Sequence, residues 1–329
     1  MKEVQVCMSY TMMLTTTVEG ANTKKRMRRR NMRQFIPLYF MMVPGLVYLL
    51  INNYLPLFGL TIAFKDVNYT KGILGSDWVG LKNFRFLFQT KDAWIITRNT
   101  ILYNVVFIVV NTVLAIIIAI LLEQITQKIF SKIFQTVLIL PSLVSMIIIS
   151  YLAYAFLSSD NGFVNSVILP GLGLEQVSWY STPNAWPFIL VFINAWKGVG
   201  QMSIIYFAAV IGINREYHEA AMLDGASFIQ RVFHITLPQM RPVIITMVLL
   251  AIGKIFYSDF GLFYQVTMNS GMLYSTTSTI DTYVYRGLIQ LGDIGMSSAA
   301  GFYQSIVGFI LVLGSNLIVR HFDPENALF

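Results

Sequence analysis

Many of the residues of this chain that could take part in chemistry lie in one polar strip, residues 216–240. The strip reads EYHEAAMLDGASFIQRVFHITLPQM and holds three carboxylates, Arg231 and two of the three histidines, His218 and His234. Nucleophilic catalysis would need a motif such as G-x-S-x-G with its His and Asp partners, and none is present. The histidines and the single Cys7 have no metal-ligand spacing, so we expect no metal site. No G-x-x-x-x-G-K-S/T motif occurs, so we expect no catalytic residue, and no bound ATP, in this chain.

A second set of candidates lies inside apolar sequence, where ionisable side chains are costly and are functional candidates by default. On an ideal helix the five-residue offset between Lys254 and Asp259 separates them by about 140°, so a direct pair would need a bend or another partner. A structural role, in which these two charges neutralise each other or extend to the membrane surface, is the alternative. The residues that we expect to line a route through the membrane are Trp196, Lys197, Lys254, Tyr257, Asp259 and Tyr264.

Composition indicates a membrane protein. The 329 residues are 56% hydrophobic and 12% charged, whereas a soluble domain carries about 25% charged residues. The net charge of +7 is concentrated in residues 1–34, where eight Lys or Arg and two Glu give +6. A basic cluster such as KKRMRRR at residues 24–30 could bind nucleic acid. Because it precedes an apolar segment directly, it favours a topology signal at the cytoplasmic face instead, and we expect no nucleic-acid partner.

Six apolar stretches predict six transmembrane helices, and therefore an all-α polytopic membrane protein. Each is long enough for a helix to cross about 30 Å of hydrocarbon, and the runs are continuous rather than alternating, which excludes a barrel pattern. Asn52, Asn53 and Pro56 mark the predicted end of the apolar core of the first stretch. The stretches are residues 35–64, 99–122, 133–157, 184–214, 242–263 and 294–319.

The distribution of Lys and Arg predicts that both termini are cytoplasmic. The basic residues 1–34 form a predicted cytoplasmic tail, and residues 35–329 form the predicted transmembrane domain. The absence of Lys and Arg between Lys132 and Lys197 places the loop at residues 158–183 outside, and the loop at residues 264–293 has only Arg286. The first loop, residues 65–98, disagrees mildly, with six Lys or Arg against three Asp. On this topology the polar strip is cytoplasmic.

The strip is predicted to form two short helices that meet at a corner. Asn214 is a suitable N-cap for a helix that begins at Arg215, with Glu216 and Glu219 in its first turns. Pro238 is predicted to end the second helix at about Leu237. The small residues Ala220, Ala221, Gly225 and Ala226 give a flat face that could dock into the groove of another protein. An amphipathic connector on the membrane surface is the alternative interpretation.

The spacing of this strip resembles the EAA loop of the membrane subunits of bacterial binding-protein-dependent ABC importers. Glu219-Ala220-Ala221 is followed after three residues by Gly225, and after nine more by Ile235-x-Leu237-Pro238. Further stretches resemble the oligosaccharide and polysaccharide permease branch of that family: WVGLKNF at residues 78–84, DFGLFYQV at residues 259–266 and HFDPENALF at residues 321–329.

The resemblance implies a type I ABC importer permease of the bacterial cytoplasmic membrane that imports a carbohydrate by alternating access. It implies a second, similar permease as heterodimer partner, two cytoplasmic ATPase subunits that bind ATP and magnesium, and an extracellular solute-binding protein. Residues 214–240 would be the coupling loop, and Gly225 would be sensitive because a side chain there would block either the corner or docking. The implied ATPase-coupling residues are Glu219, Ala220, Ala221, Asp224, Gly225, Ile235, Leu237 and Pro238.

Two other functions stay open at this point. An ion-coupled secondary transporter would need a relay of carboxylates inside the membrane, and the predicted spans hold only Asp259. A membrane scaffold without transport is the third. Aromatic residues such as Trp196, Tyr257 and Tyr264 could stack on sugar faces, although most aromatic residues at 14% content belong to the core or the membrane interface.

Overall fold

A computed structural model describes residues 35, 37–85 and 89–322 of the chain. The predicted cytoplasmic tail, residues 1–34, and nearly all of the HFDPENALF ending lie outside these residues. Within these residues two compact units are distinguished, divided between Leu60 and Thr61. In the described part the chain is almost entirely helical, and its one β element is an antiparallel pair of two-residue strands, β1 (Lys65–Asp66) and β2 (Asp77–Trp78).

Nine principal helices follow one another along the described chain. Five of them are long and apolar enough to span a membrane: α1, α2, α5, α7 and α9. The bounds are α1 Pro37–Phe64, α2 Lys91–Glu123, α3 Lys128–Leu143, α4 Met146–Leu157, α5 Trp186–Ile211, α6 Arg215–Leu223, α7 Phe228–Ile252, α8 Ile280–Ile289 and α9 Ile294–Phe322.

The third predicted span, residues 133–157, is bent, not straight. Helices α3 and α4 together pass the same length and hydropathy test, but they meet at a 92° bend across Val144 and Ser145. Six spans are obtained when this bent pair counts as one, so the predicted all-α architecture with six apolar crossings is confirmed. Residues 133–157 carry no charge and are mostly apolar, and hydropathy alone therefore gave no sign of the break.

Helix α1 continues past the polar residues that mark the predicted end of its apolar core. Residues Leu50–Tyr54 form a π-helical turn in which the Leu55 N–H bonds to the Leu50 carbonyl, five residues earlier. The Asn52 amide donates to the Tyr48 carbonyl at 3.0 Å, so its polar group is satisfied within the helix. A tighter 3-10 segment, Leu55–Phe64, follows and includes Pro56.

Helices α2 and α5 form the central pair of the second unit. Small residues at their contact, Ala115, Ala119 and Ala195, are buried and let the two backbones approach closely. Three buried clusters run along α2. One surrounds Tyr103 and Trp186. A second surrounds Phe256 and Ala299, against α9, and a third joins the end of α2 to Tyr206 and Met240.

Candidate functional site

The polar strip begins with a capped helix, as predicted. The Asn214 Oδ1 accepts from the Glu216 N–H at 3.1 Å, and the Asn214 amide donates to Glu216 Oε2 at 3.0 Å. This cap satisfies one of the free N–H groups at the start of α6, and it keeps a carboxylate near the positive end of the helix dipole.

The corner of the strip is a helix C-terminus closed by Gly225. The Gly225 N–H bonds to Met222 O at 3.1 Å and the Ala226 N–H bonds to Ala221 O at 2.9 Å, which is the Schellman pattern. Gly225 has φ +79°, a conformation that L-residues with a side chain rarely adopt, and apart from its two chain neighbours a Cβ there would meet no atom of the described residues within 4 Å. The expectation that a side chain would block the corner is therefore wrong within this chain, because the constraint is the backbone conformation.

Proline 238 does not end the second helix of the strip, so that prediction is wrong. Helix α7 runs without interruption from Phe228 to Ile252. Its π-helical turn, Val232–Thr236, pairs the Leu237 N–H with the Val232 carbonyl. A π turn shifts hydrogen bonding by one residue, so the missing N–H and the ring of Pro238 are accommodated where α-helical pairing resumes. The strip is therefore directly continuous with a membrane span.

Between α6 and the start of α7 lies a groove of about 330 Å³, which we call the strip groove. It is lined by Ala221, Asp224, Gly225, Ala226, Gln230, Arg231, His234 and Ile235. Of the eight predicted coupling residues, four therefore line it. Glu219, Ala220 and Pro238 are exposed beside it, whereas Leu237 is half-buried against the third core cluster.

Exposed apolar side chains of the strip were not among the residues predicted from the sequence. Leu223 is 91% exposed, and Ile229 and Phe233 are also exposed beside the corner. The Arg231 Nε is buried and has no hydrogen-bond partner among the described residues. Apolar residues within an otherwise polar strip were the available signal, since exposed apolar groups rimmed by polar ones mark interaction surfaces.

Lys197 contacts the break between α3 and α4. Its ammonium donates to the carbonyl oxygens of Ser142, at 3.3 Å, and Val144. Three residues further along α5, a Cβ at Gly200 would lie only 1.7 Å from the Leu138 carbonyl oxygen, so α3 and α5 are in backbone contact there. Lys197 is thus engaged by backbone carbonyls. Trp196 beside it is 42% exposed.

The predicted fifth span is also broken, within the residues that were expected to line the route. Helix α7 stops at Ile252, and the chain then turns before a π-helical segment, Gly261–Val266. Lys254 and Asp259 therefore do not share one helix, and the 140° separation expected for them on an ideal helix does not arise. Both are exposed, and the Lys254 ammonium makes no hydrogen bond or ion pair with any residue that the structure describes. Asp259 accepts from the Leu262 N–H at 3.1 Å.

This unwound segment is held by polar side chains that the sequence-based prediction did not include. The Asn104 amide donates to the carbonyls of Ile255 at 2.9 Å and Tyr257 at 3.0 Å. Asp281 accepts from both the N–H and the hydroxyl of Ser258 at 2.7 Å, and Gln304 donates to Asp281 at 3.2 Å. Asn104 and Gln304 interrupt apolar stretches in the sequence, which was the signal for cross-helix hydrogen bonds.

The two breaks lie against each other. Met146, the first residue of α4, is so close to Gly261 that a Cβ on this glycine would lie 2.7 Å from the Met146 Cβ and 3.2 Å from Asp259 Oδ1. Tyr264 stacks on Phe260, with ring centroids 4.7 Å apart, and meets Tyr285 edge-on at 5.0 Å. The structure therefore brings Asp259 and Tyr264 into one segment beside the bent span.

The loops predicted to be external pack together, at the end of α2 opposite the strip. The Ser270 hydroxyl donates to Tyr180 O at 3.0 Å, and Asn99, near the start of α2, donates to Ser278 O at 3.0 Å. Ala119, near the end of α2, shares a buried cluster with Met240 of the strip. The twenty helical steps from residue 99 to residue 119 span about 30 Å, the thickness of a bilayer core.

Burial changes two ionisable groups in these loops. Burial raises the pKa of Tyr180 to about 12. Burial lowers the pKa of Arg286, which lies over the Tyr274 ring at 4.1 Å and donates to Asn269 Oδ1 at 3.2 Å. We call these packed loops, residues 158–183 and 264–293, the loop cluster. Arg286 is thus a structural cation of the loop cluster, which explains why one basic residue occurs in a loop predicted to be external.

Comparisons with known proteins agree with this geometry. Residues 111–326 match the family model described as binding-protein-dependent transport system inner membrane component. Protein LplB of Bacillus subtilis is 34% identical over 88% of this chain and 90% of its own length. The polygalacturonan/rhamnogalacturonan transport system permease protein YteP of Bacillus subtilis is 30% identical over 94% of this chain and 96% of its own length.

A solved structure shares the fold of nearly the whole chain. The chain is similar, at a TM-score of 0.81 and 29% identity, to a chain of a bacterial ABC transporter involved in the import of the acidic polysaccharide alginate. The similarity covers 89% of this chain and 98% of that one. The predicted resemblance is confirmed. The bent third crossing, the capped strip and these matches show that the chain has the type I permease fold and belongs to the family of binding-protein-dependent transport system inner membrane components.

Proposed function

We propose that this chain is the membrane-spanning subunit of an ATP-driven importer that moves an oligosaccharide or a polysaccharide fragment into a bacterial cell. The observation that carries the proposal is the strip itself, a capped helix and a glycine corner joined without a loop to a membrane span. The names of the relatives support the cargo class, since YteP is a polygalacturonan/rhamnogalacturonan permease and the solved relative serves alginate import.

The strip groove is the proposed docking surface for a cytoplasmic ATPase. It presents the exposed apolar residues Leu223, Ile229 and Phe233 beside Asp224 and Arg231, a combination suited to a partner with an apolar centre and a polar rim. On this proposal two ATPase copies bind ATP and magnesium, and neither is bound by this chain. A second, similar permease completes the route, and a solute-binding protein delivers the cargo from outside.

The proposed route passes the two breaks. Unwound segments inside a membrane protein are tolerated where they are buried in protein or line a cavity. Lys254, Tyr257 and Asp259 are exposed at one of them, and Trp196 and Tyr264 add aromatic surface on which a sugar ring can stack. A route of this kind works by alternating access, in which ATP binding shifts the spans between inward-open and outward-open states.

Reconstitution tests this function. The chain, its sister permease, the ATPase and the binding protein are incorporated into vesicles with ATP inside, and labelled oligogalacturonides are offered outside, with maltooligosaccharides as a neutral comparison. We expect ATP-dependent uptake of one of these two sets of oligosaccharides, and we expect the loaded binding protein to stimulate ATP hydrolysis. Glu219→Lys reverses an exposed charge of the strip and should lower co-purification of the ATPase. An assembly that forms without any ATPase, or uptake driven by an ion gradient without ATP, would contradict the proposal.

A further inference from the structure

The end of α3 leaves backbone carbonyls that need partners. The last carbonyls of any helix lack intrahelical donors, and inside a membrane an unpaired carbonyl costs several kcal/mol. Helix α3 ends at Leu143, where Pro141 already removes one donor from its last turn. Ser145 starts α4 by accepting the Ile148 N–H at 3.4 Å, so the second half of the span has a cap of its own. The carbonyls of Ser142 and Val144 are bonded by Lys197.

Lys197 is held in place by the packing of α5 on α3. Lys197 and Gly200 are three residues apart and thus lie on one face of α5. Because Gly200 is in backbone contact with Leu138, the two helices cannot slide past each other without a clash. The ammonium is therefore presented at the negative end of the α3 dipole, where a cation is favoured.

The direction of α4 after the break determines what faces the candidate route. Met146 packs on Gly261 within contact distance, beside Asp259. A change in the bend between α3 and α4 would move Met146 away from this segment.

We propose that Lys197 is a positioning residue for transport, which holds the third span at its bend and thereby sets the position of α4 against the Asp259–Gly261 segment. The role in transport rests on the function proposed above for the same route, whereas the effect on the bend does not. Losing a hydrogen bond to a charged group shifts an equilibrium about 10- to 150-fold. We expect the population of straighter arrangements to rise by a factor in this range when the ammonium is removed.

A distance across the break tests the proposal. Spin labels are attached to cysteines at Ile133 and Tyr151, which are exposed on α3 and α4, in a Cys7→Ser background. From the helical rise, the backbone distance is about 20 Å for a right-angle bend and about 27 Å for a straight helix. Pulsed electron paramagnetic resonance on the assembled complex should show one narrow distribution of short label-to-label distances for the parent. Lys197→Met should add a longer population, and Lys197→Arg, which keeps a cation, should restore the short one.

Lys254→Met is the matched control, because it removes an intramembrane lysine whose ammonium bonds no described residue, and it should leave the distance unchanged. If Lys197→Met does not assemble, Lys197→Gln replaces it, and a broadened distribution is again expected. A short, narrow distribution in the neutral variant overturns the proposal.

Transport supplies the second readout. Oligogalacturonide uptake per ATP hydrolysed should fall in the neutral variant and recover in Lys197→Arg. A changed distance with an unchanged uptake ratio would leave only a packing role and overturn the positioning role. If the parent imports neither oligogalacturonides nor maltooligosaccharides, the proposed cargo fails, while the distance measurement still decides whether Lys197 holds the bend.

Discussion

At the scale of single residues, Gly225 shows how the chemistry of a site can lie in the backbone. Its φ of +79° closes the corner of the strip, and the surrounding space is open within this chain. Gly225→Leu forces a β-carbon into a left-handed conformation at a cost of about 1–3 kcal/mol. At roughly 1.4 kcal/mol per factor of ten, ATPase association should weaken about 5- to 150-fold, as measured by co-purification with a titrated ATPase.

Gly173 offers a matched control for this variant. It also has a positive φ, +71°, and open space around it, but it belongs to the loop cluster instead of the strip. Gly173→Leu introduces the same kind of strain and should leave ATPase association as it is. Equal loss in both variants would mean that general destabilisation, not the strip, is responsible.

The exposed charges at the second break belong to the same scale. Lys254→Met and Asp259→Asn each remove a charge that the membrane makes costly and that no ion pair among the described residues explains. We expect both to lower carbohydrate uptake while ATPase association is retained. Asp160→Asn, in an exposed loop, is the control and should transport normally. Normal uptake by both test variants at equal expression would assign Lys254 and Asp259 a structural role.

At the scale of secondary-structure elements, the contact between α3 and α5 depends on one glycine. A Cβ at Gly200 would lie 1.7 Å from the Leu138 carbonyl oxygen, whereas a Cβ at Gly198 would lie 3.7 Å from its nearest neighbour. Gly200→Ala should therefore separate the two helices at a cost of at least about 1–3 kcal/mol, and Gly198→Ala should be tolerated. The check is the apparent melting temperature of the purified complex, and equal melting of the two variants would contradict the geometry.

The helices, the strip and the bend differ in how well each could be predicted from the sequence. Hydropathy predicted the crossings, because twenty apolar residues have few other stable arrangements. The cap at Asn214 and the corner at Gly225 were predictable, since both follow local backbone chemistry. The carbonyl of Val144, at the bend after α3, is bonded by a lysine 53 residues further along the chain, and no local pattern predicts such a contact. The prediction that Pro238 ends a helix was wrong because a π turn just before it offsets the usual helix-ending effect of a proline.

At the scale of the whole molecule, the loops and the strip lie at opposite ends of α2, and the distribution of Lys and Arg predicts which end is outside. In a Cys7→Ser background, single cysteines at Asp160 and Asn269 should react with an impermeant maleimide in intact cells. A cysteine at Gln230, in the strip groove, should react only after the membrane is opened. Labelling of Gln230 from outside would reverse the orientation and exclude ATPase docking on the strip.

The uninterrupted course of α7 has a mechanical consequence. Its 25 residues form a rod about 37 Å long that starts in the strip groove and stops at the unwound segment after Ile252. A rod without a joint acts as a lever, so a tilt of about 5° at the groove would displace its far end by about 3 Å, given that length. A flexible loop between strip and span would absorb such a movement. The chain instead continues as helix through a π turn there, so we expect a force applied at the strip end of α7 to reach the unwound segment.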